Sequence, residues 1–128
     1  MIPLNELSTP SLAYLGDCVL ELRVREKLVQ SGIAKSGRLN TEALRFVRAS
    51  AQAEAMQRIL PLLSDEEAAY YRRGRNSSHL NVPKSASPSE YRTATGMEVL
   101  FGYLHLEGKA DRIKELFSAA YGSLSDIK

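Results

Sequence analysis

Apolar residues recur along this chain at spacings of three and four, the period of an α-helix with one face turned inward. Leu12, Leu15, Val19 and Leu22 predict a first helix over residues 12–29. Ser8 or Thr9 is placed to cap it, Pro10 falls in its first turn, and Gly32 closes it. A second helix is expected over residues 41–60, with Leu44, Val47, Ala51, Ala55 and Ile59 as its inward stripe and Pro61 as its stop. Ser64-Asp65-Glu66-Glu67 has the form of a capping box and opens a short third helix, which Gly74 is expected to terminate. From Arg75 to Ser89 the periodicity fails: Asn76, Ser77, Ser78, Asn81, Pro83, Ser85 and Ser87 predict a long polar loop. A fourth helix follows over residues 90–106, ended by Gly108. A fifth covers residues 111–121, with Ile113, Leu116, Phe117 and Ala120 facing inward. No segment alternates as a strand does. The expectation is an all-α helical bundle in one domain spanning residues 1–128.

Composition changes this picture little. A chain of 128 residues can bury a core without disulfides or a structural metal. The single cysteine, Cys18, excludes an internal disulfide and a cysteine zinc site, fits a reducing cytoplasmic compartment, and is expected to be a small core residue. With two histidines, His79 and His105, zinc is a poor match. The N-terminus lacks the charged-then-apolar pattern of a signal peptide, and no apolar run approaches the ~20 residues of a membrane span. The net charge of +2 carries no message by itself.

Chemistry enters with polar residues set inside apolar helices. Asp17 lies in Leu12-Ala13-Tyr14-Leu15-Gly16-Asp17-Cys18-Val19-Leu20, and Glu98 in Gly96-Met97-Glu98-Val99-Leu100-Phe101-Gly102-Tyr103-Leu104. An ionised carboxylate in such company is paired, metal-bound or turned to solvent, and the pattern alone leaves all three open. Thr95, Glu98, Gly102 and His105 share one face of the fourth helix, a polar stripe suited to a groove or a partner chain. Arg72, Arg73, Arg75, Lys84 and Arg92 cluster about the long loop, opposed only by Glu90. Together with Asn76, Ser77, Ser78 and His79 they form either a solvated loop or a phosphate-binding surface, in which Gly74 would let the backbone approach a ligand. Tyr70, Tyr71 and Tyr91 form no regular stacking array, so a duplex fits such a surface better than splayed bases.

Taken in order, these segments resemble the ribonuclease III endonuclease domain. Leu15-Gly16-Asp17-Cys18-Val19-Leu20-Glu21 is similar to that family's signature helix, and Glu98-Val99-Leu100-Phe101-Gly102-Tyr103-Leu104 to its late acidic helix. Tyr71-Arg72-Arg73-Gly74-Arg75-Asn76, Val82-Pro83-Lys84, Tyr91-Arg92 and Thr95-Gly96-Met97-Glu98 resemble the short branch called Mini-ribonuclease III, which lacks a double-stranded-RNA-binding domain. The resemblance implies that Asp17 and Glu98 are catalytic and hold Mg²⁺, with Mn²⁺ as a substitute. It implies RNA contacts from Arg73, Arg75, Asn76 and Lys84, and a homodimer paired through the signature helix at Tyr14. The implied substrate is double-stranded RNA, in that branch a stalk of precursor large-subunit ribosomal RNA. Ala13 and Thr95 stand where larger members of the family carry acids, which keeps open a catalytically inactive RNA-binding or assembly module.

Overall fold

The structure is a computed structural model that describes residues 2–77 and 87–122. Lys84 and His79 lie outside the described residues. Among the described residues there are six α-helices and no strand: α1 (Thr9–Gln30), α2 (Ser36–Val47), α3 (Ala49–Ile59), α4 (Asp65–Arg75), α5 (Pro88–Leu106) and α6 (Ala110–Ala120). No described helix is long and apolar enough to cross a membrane.

Helix α5 is the axis of the bundle. Its middle, from Thr93 to Leu104, is buried on every side except at the half-buried Glu98. Helices α1, α3, α4 and α6 all pack against it. The turn signals read from the sequence hold at four helix ends. Ser8 accepts from the Ser11 amide at 3.1 Å and caps α1. Ser64 and Glu67 form the reciprocal capping box of α4. Gly32 and Gly108 adopt positive φ, 92° and 71°, where a side chain would be strained. Glu67 also receives two bonds from the Arg112 guanidinium, each 2.8 Å, and this ties α6 to α4. The Arg112 hydrogen bonds hold the Glu67 carboxyl below the usual carboxylate range.

Other expectations need correction. The second helix is two helices. The chain leaves helical geometry at Arg48 (φ −66°, ψ 154°), so α3 sets out in a new direction. No glycine or proline stands at the break. Instead the end of α2 is held by side chains: Arg48 Nε donates back to Leu44 O at 3.0 Å, and the buried Tyr121 hydroxyl, from beyond α6, donates to the Phe46 carbonyl at 3.0 Å. The break lets α2 lie on α1 while α3 lies on α5 and α6. It also resets the inward register to Ala43 and Phe46, then Gln52, Ala53, Ala55, Met56 and Ile59, leaving Leu44 exposed. In α1 the buried residues are Leu12, Gly16, Val19, Leu20, Val24 and Leu28. Leu22 and Cys18, expected inside, are exposed.

Gly74 does not end α4. It is buried one residue before the helix finishes, where a Cβ would lie 2.8 Å from Gly96 Cα and 2.7 Å from a Val99 methyl carbon. Its role is close approach to α5 rather than to a ligand. The tighter crossing is between α1 and α5. A Cβ on Gly16 would lie 1.6 Å from the Glu98 carbonyl oxygen, and one on Gly102 would lie 2.2 Å from the Leu12 carbonyl oxygen. Backbone meets backbone at both points, so no rotamer change can make room.

Gly16→Ala is therefore expected to cost more than about 3 kcal/mol, because the two helix axes must separate. Gly37, in the first turn of α2, has open space around it, and Gly37→Ala is expected to be neutral or to stabilise by up to about 1 kcal/mol. Urea denaturation of both variants checks the contrast; equal midpoints would contradict the close crossing.

Candidate active site

The glycine crossing brings the two sequence-marked carboxylates together. Because Gly16 touches the backbone of Glu98, the next residue on α1, Asp17, comes beside the Glu98 side chain. Asp17 is exposed at the crossing and Glu98 is half-buried. Burial pushes the Glu98 carboxyl up to about 8, reinforced by the negative charge of Asp17 and by a hydrogen bond between the two carboxyl groups. Neither group has an ion-pair partner among the described residues. Two acids forced together without a cation share a proton unless a cation takes its place.

The donor set decides which cation fits. Among the described residues no third acid, histidine or cysteine joins the pair. Two carboxylates with open surroundings suit a small hard ion that keeps several of its own waters, as Mg²⁺ and Mn²⁺ do. They do not suit zinc, which takes at least three protein donors. Ala13 is half-buried on α1, and the Thr95 hydroxyl donates to Tyr91 O at 2.9 Å, so neither adds a charge.

Glu98 also lines a cleft of about 490 Å³ between the α2–α3 break and α5. Its walls include Arg48, Ser50, Gln52, Tyr91 and Thr95. Arg48, Ser50 and Gln52 were not singled out by sequence reasoning. Their signal lies in the break at Arg48, and a helical period that runs unbroken from 41 to 60 hides it. The stripe of Thr95, Glu98, Gly102 and His105 does not share one environment. Thr95 and Glu98 face the cleft, Gly102 is pressed against α1, and His105 lies in a separate groove with Leu15, Leu22 and Ile113.

The basic residues divide as well. Arg75 is exposed at the end of α4, and Asn76 is that helix's exposed C-cap. Arg92 donates to Ser77 O at 3.1 Å and holds the start of the polar segment against α5. Arg73 is turned inward, contrary to its expected place on the RNA surface. Its Nε donates to Thr9 Oγ1 at 2.9 Å and a terminal nitrogen donates to the Leu7 carbonyl, tying α4 to the start of α1. Tyr14 is 86% exposed on α1, beside the exposed Cys18 and Leu22 one and two turns on.

Comparison with known proteins places this arrangement. The family model described as the ribonuclease III domain matches residues 10–109, which include both carboxylates and the whole crossing. The chain is 45% identical to the Mini-ribonuclease 3 of Symbiobacterium thermophilum over 91% of each chain. It is 41% identical to that of Enterococcus faecalis, covering 89% of this chain and 88% of the relative, and 35% identical to that of Streptococcus pneumoniae, covering 92% and 94%. The fold matches an X-ray structure of a Fusobacterium nucleatum protein with a TM-score of 0.83 at 28% identity, covering 92% of this chain and 94% of that one. A single helical domain with paired carboxylates at the α1–α5 crossing, and relatives this similar along most of its length, make the chain a member of the ribonuclease III family, in its Mini-ribonuclease 3 branch.

Proposed function

We propose that the chain is a metal-dependent endoribonuclease that hydrolyses double-stranded RNA, with Asp17 and Glu98 holding Mg²⁺ or, in its place, Mn²⁺. The observation that carries this reading is the carboxyl pair at the glycine crossing, without a cationic partner among the described residues and opening on a cleft. When bound, the ion supplies charge neutralisation at the phosphate and lowers the pKa of a water. The chain's own residues do the rest. The rigid crossing fixes the spacing of Asp17 and Glu98, so their geometry costs no reorganisation at the moment of reaction. Arg75 and Asn76 sit where they can hold backbone phosphates and set the register of the duplex without reading bases. Lys84, outside the described residues, belongs to the same proposal; Arg73 is committed to α1 and is left out of it. Hydrolysis would leave a 5′-phosphate and a 3′-hydroxyl.

A homodimer follows from the same reading. Tyr14, Cys18 and Leu22 form an exposed apolar stripe on α1, and Cys18 and Leu22 also line a groove of about 340 Å³ with Leu15, His105 and Ile113. Pairing two copies through this stripe would cover it and bring two sites to one duplex, one for each strand. The substrate proposed is a helical stalk of precursor large-subunit ribosomal RNA, cut in the cytoplasm. Support comes from the similarity to the bacterial Mini-ribonuclease 3 proteins. The neutral Ala13 and Thr95 favour a second reading, a binding module without catalysis, and it predicts no metal-dependent cleavage.

Four outcomes are expected. Glu98→Gln keeps the shape of the side chain and removes a ligand, so cleavage of an end-labelled duplex should fall at least about a hundredfold while duplex affinity stays within about twofold; normal cutting by this variant would remove Glu98 from the metal site. Because the Glu98 pKa is raised to about 8, a proton must leave before a cation enters. Apparent Mn²⁺ affinity should rise about tenfold per pH unit below that value and level off above it, with about one proton released per ion. Calorimetry in buffers of different ionisation enthalpy reads the release, and a pH-independent affinity would contradict the pair as ligands. The sign for stability is opposite: without metal, the raised pKa makes the fold most stable below about 4.5 as regards this group, and less stable as pH climbs towards 8. Arg75→Ala should weaken duplex binding alike for all sequences and reduce the salt slope by about one, as measured by binding between low and moderate salt.

A further inference from the structure

The break at Arg48 creates a feature that neither the carboxyl pair nor the basic end of α4 uses. Arg48 is the N-cap of α3, and its side chain makes no capping hydrogen bond. The Gln52 amide takes the first bond of the helix, to Arg48 O at 3.0 Å. The amides of Ala49, Ser50 and Ala51 precede it and have no intrahelical acceptor, as the first turn of any helix requires. Ala49 and Ser50 line the same cleft as Glu98.

Gln52 stands one turn further in. It is 3% exposed, yet it too lines the cleft. Its carboxamide forms no hydrogen bond with another described residue. Since every fully enclosed side-chain polar atom among the described residues has a partner, the amide atoms reach the cleft. A glutamine this deeply buried with nothing to bond is rare unless a ligand completes it.

We infer that this turn of α3 is a phosphate subsite. The first-turn amides and Gln52 Nε2 donate to the non-bridging oxygens of an RNA phosphodiester and hold it against Glu98. An anion, rather than a cation, is the ligand this set of groups selects. The amides are donors only, the positive end of the α3 dipole faces the same space, and Arg48 adds a full positive charge at the wall. The carboxamide contributes two further donor hydrogens. The break thus has a function: an unbroken helix would spend those amides on intrahelical bonds. The identity of the ligand as an RNA phosphate rests on the nuclease reading above, whereas the anion site itself does not.

The test is an amide NMR titration of the full metal-free chain with inorganic phosphate. Saturable shifts are expected at Ser50, Ala51 and the Gln52 side chain. Gln52→Leu should weaken phosphate about tenfold, the effect of one hydrogen bond to a charged group. Gln52→Glu, nearly isosteric, should weaken it further because a carboxylate repels the anion. Circular dichroism confirms that each variant is folded, and the wild-type response decides the matter if neither is. Silent Ser50 and Ala51 amides, or equal phosphate affinity in both variants, would overturn the subsite. So would a Gln52→Glu protein that binds Mn²⁺ more tightly with phosphate affinity unchanged, since Gln52 would then be a cation contact. In duplex cleavage both variants should lower kcat at least about tenfold with duplex affinity unchanged. A chain whose amides answer phosphate but which never cuts a duplex keeps the subsite and loses the nuclease reading; a chain that cuts while its amides stay silent does the reverse.

Discussion

The closeness of α1 to α5 is the constraint on which the rest of this structure depends. Helix axes usually stand apart by the thickness of the side chains between them. Here glycines replace side chains at both contact points, and carbonyl oxygens of Glu98 and Leu12 occupy the space a Cβ would need. One geometric fact then serves two ends. It packs the longest helix of the fold against its axis, and it puts Asp17 beside Glu98. The charge repulsion built into that pair is an energetic cost that the apolar packing of α5 carries. Burial of Val99, Leu100, Phe101, Tyr103 and Leu104 over-determines the position of Glu98 and holds it where it would not settle alone.

A second crossing, of α4 on α5 through Gly74 and Gly96, uses the same device on another side of the axis. Tyr71 packs its ring over Gly96, and the end of α4 is thereby held against α5 close to Thr95 and Glu98 in sequence. Arg75 and Asn76, at the end of α4, are thus tied to the helix that carries the carboxylate. Arg73, turned back to α1, joins the three helices into one frame. The end of α4 and the carboxyl pair are coupled through backbone proximity, which resists deformation more than side-chain packing does.

Much of this was legible in the sequence, and the reason is local physics. Ser8, Ser64 with Glu67, Gly32 and Gly108 act within one turn of their own position, so their roles follow from residue type and spacing. Asp17 and Glu98 stood out because a charge in an apolar helix needs an explanation. What was not legible depends on partners far away in the chain. The break at Arg48 is held by Tyr121, which lies beyond α6, and no proline or glycine announces it. Gly74 looks like a terminator to any local rule, and only the approach of α5 gives it its purpose. Leu22 fits the period of α1 as well as Val19 does, yet it falls on a face that no described helix covers. The direction of Arg73 is decided by the Leu7 carbonyl more than sixty residues away.

The same contrast explains why the polar residues of the cleft escape a pattern-based reading. Helical periodicity sorts residues into an inner and an outer face, and it assumes that inner means apolar. Gln52 is inner by position and polar by chemistry; the pattern has no category for it except error. Thr95 is similar, though it resolves the conflict by bonding to Tyr91 O within its own helix. Gln52 makes no such local bond: its backbone amide donates to Arg48 O one turn back, and its carboxamide donates to no carbonyl of its own helix. A buried polar group that its own helix cannot satisfy is where local rules stop and function begins to be readable, and in this fold it faces the same cleft as the carboxylate that the glycine crossing holds in place.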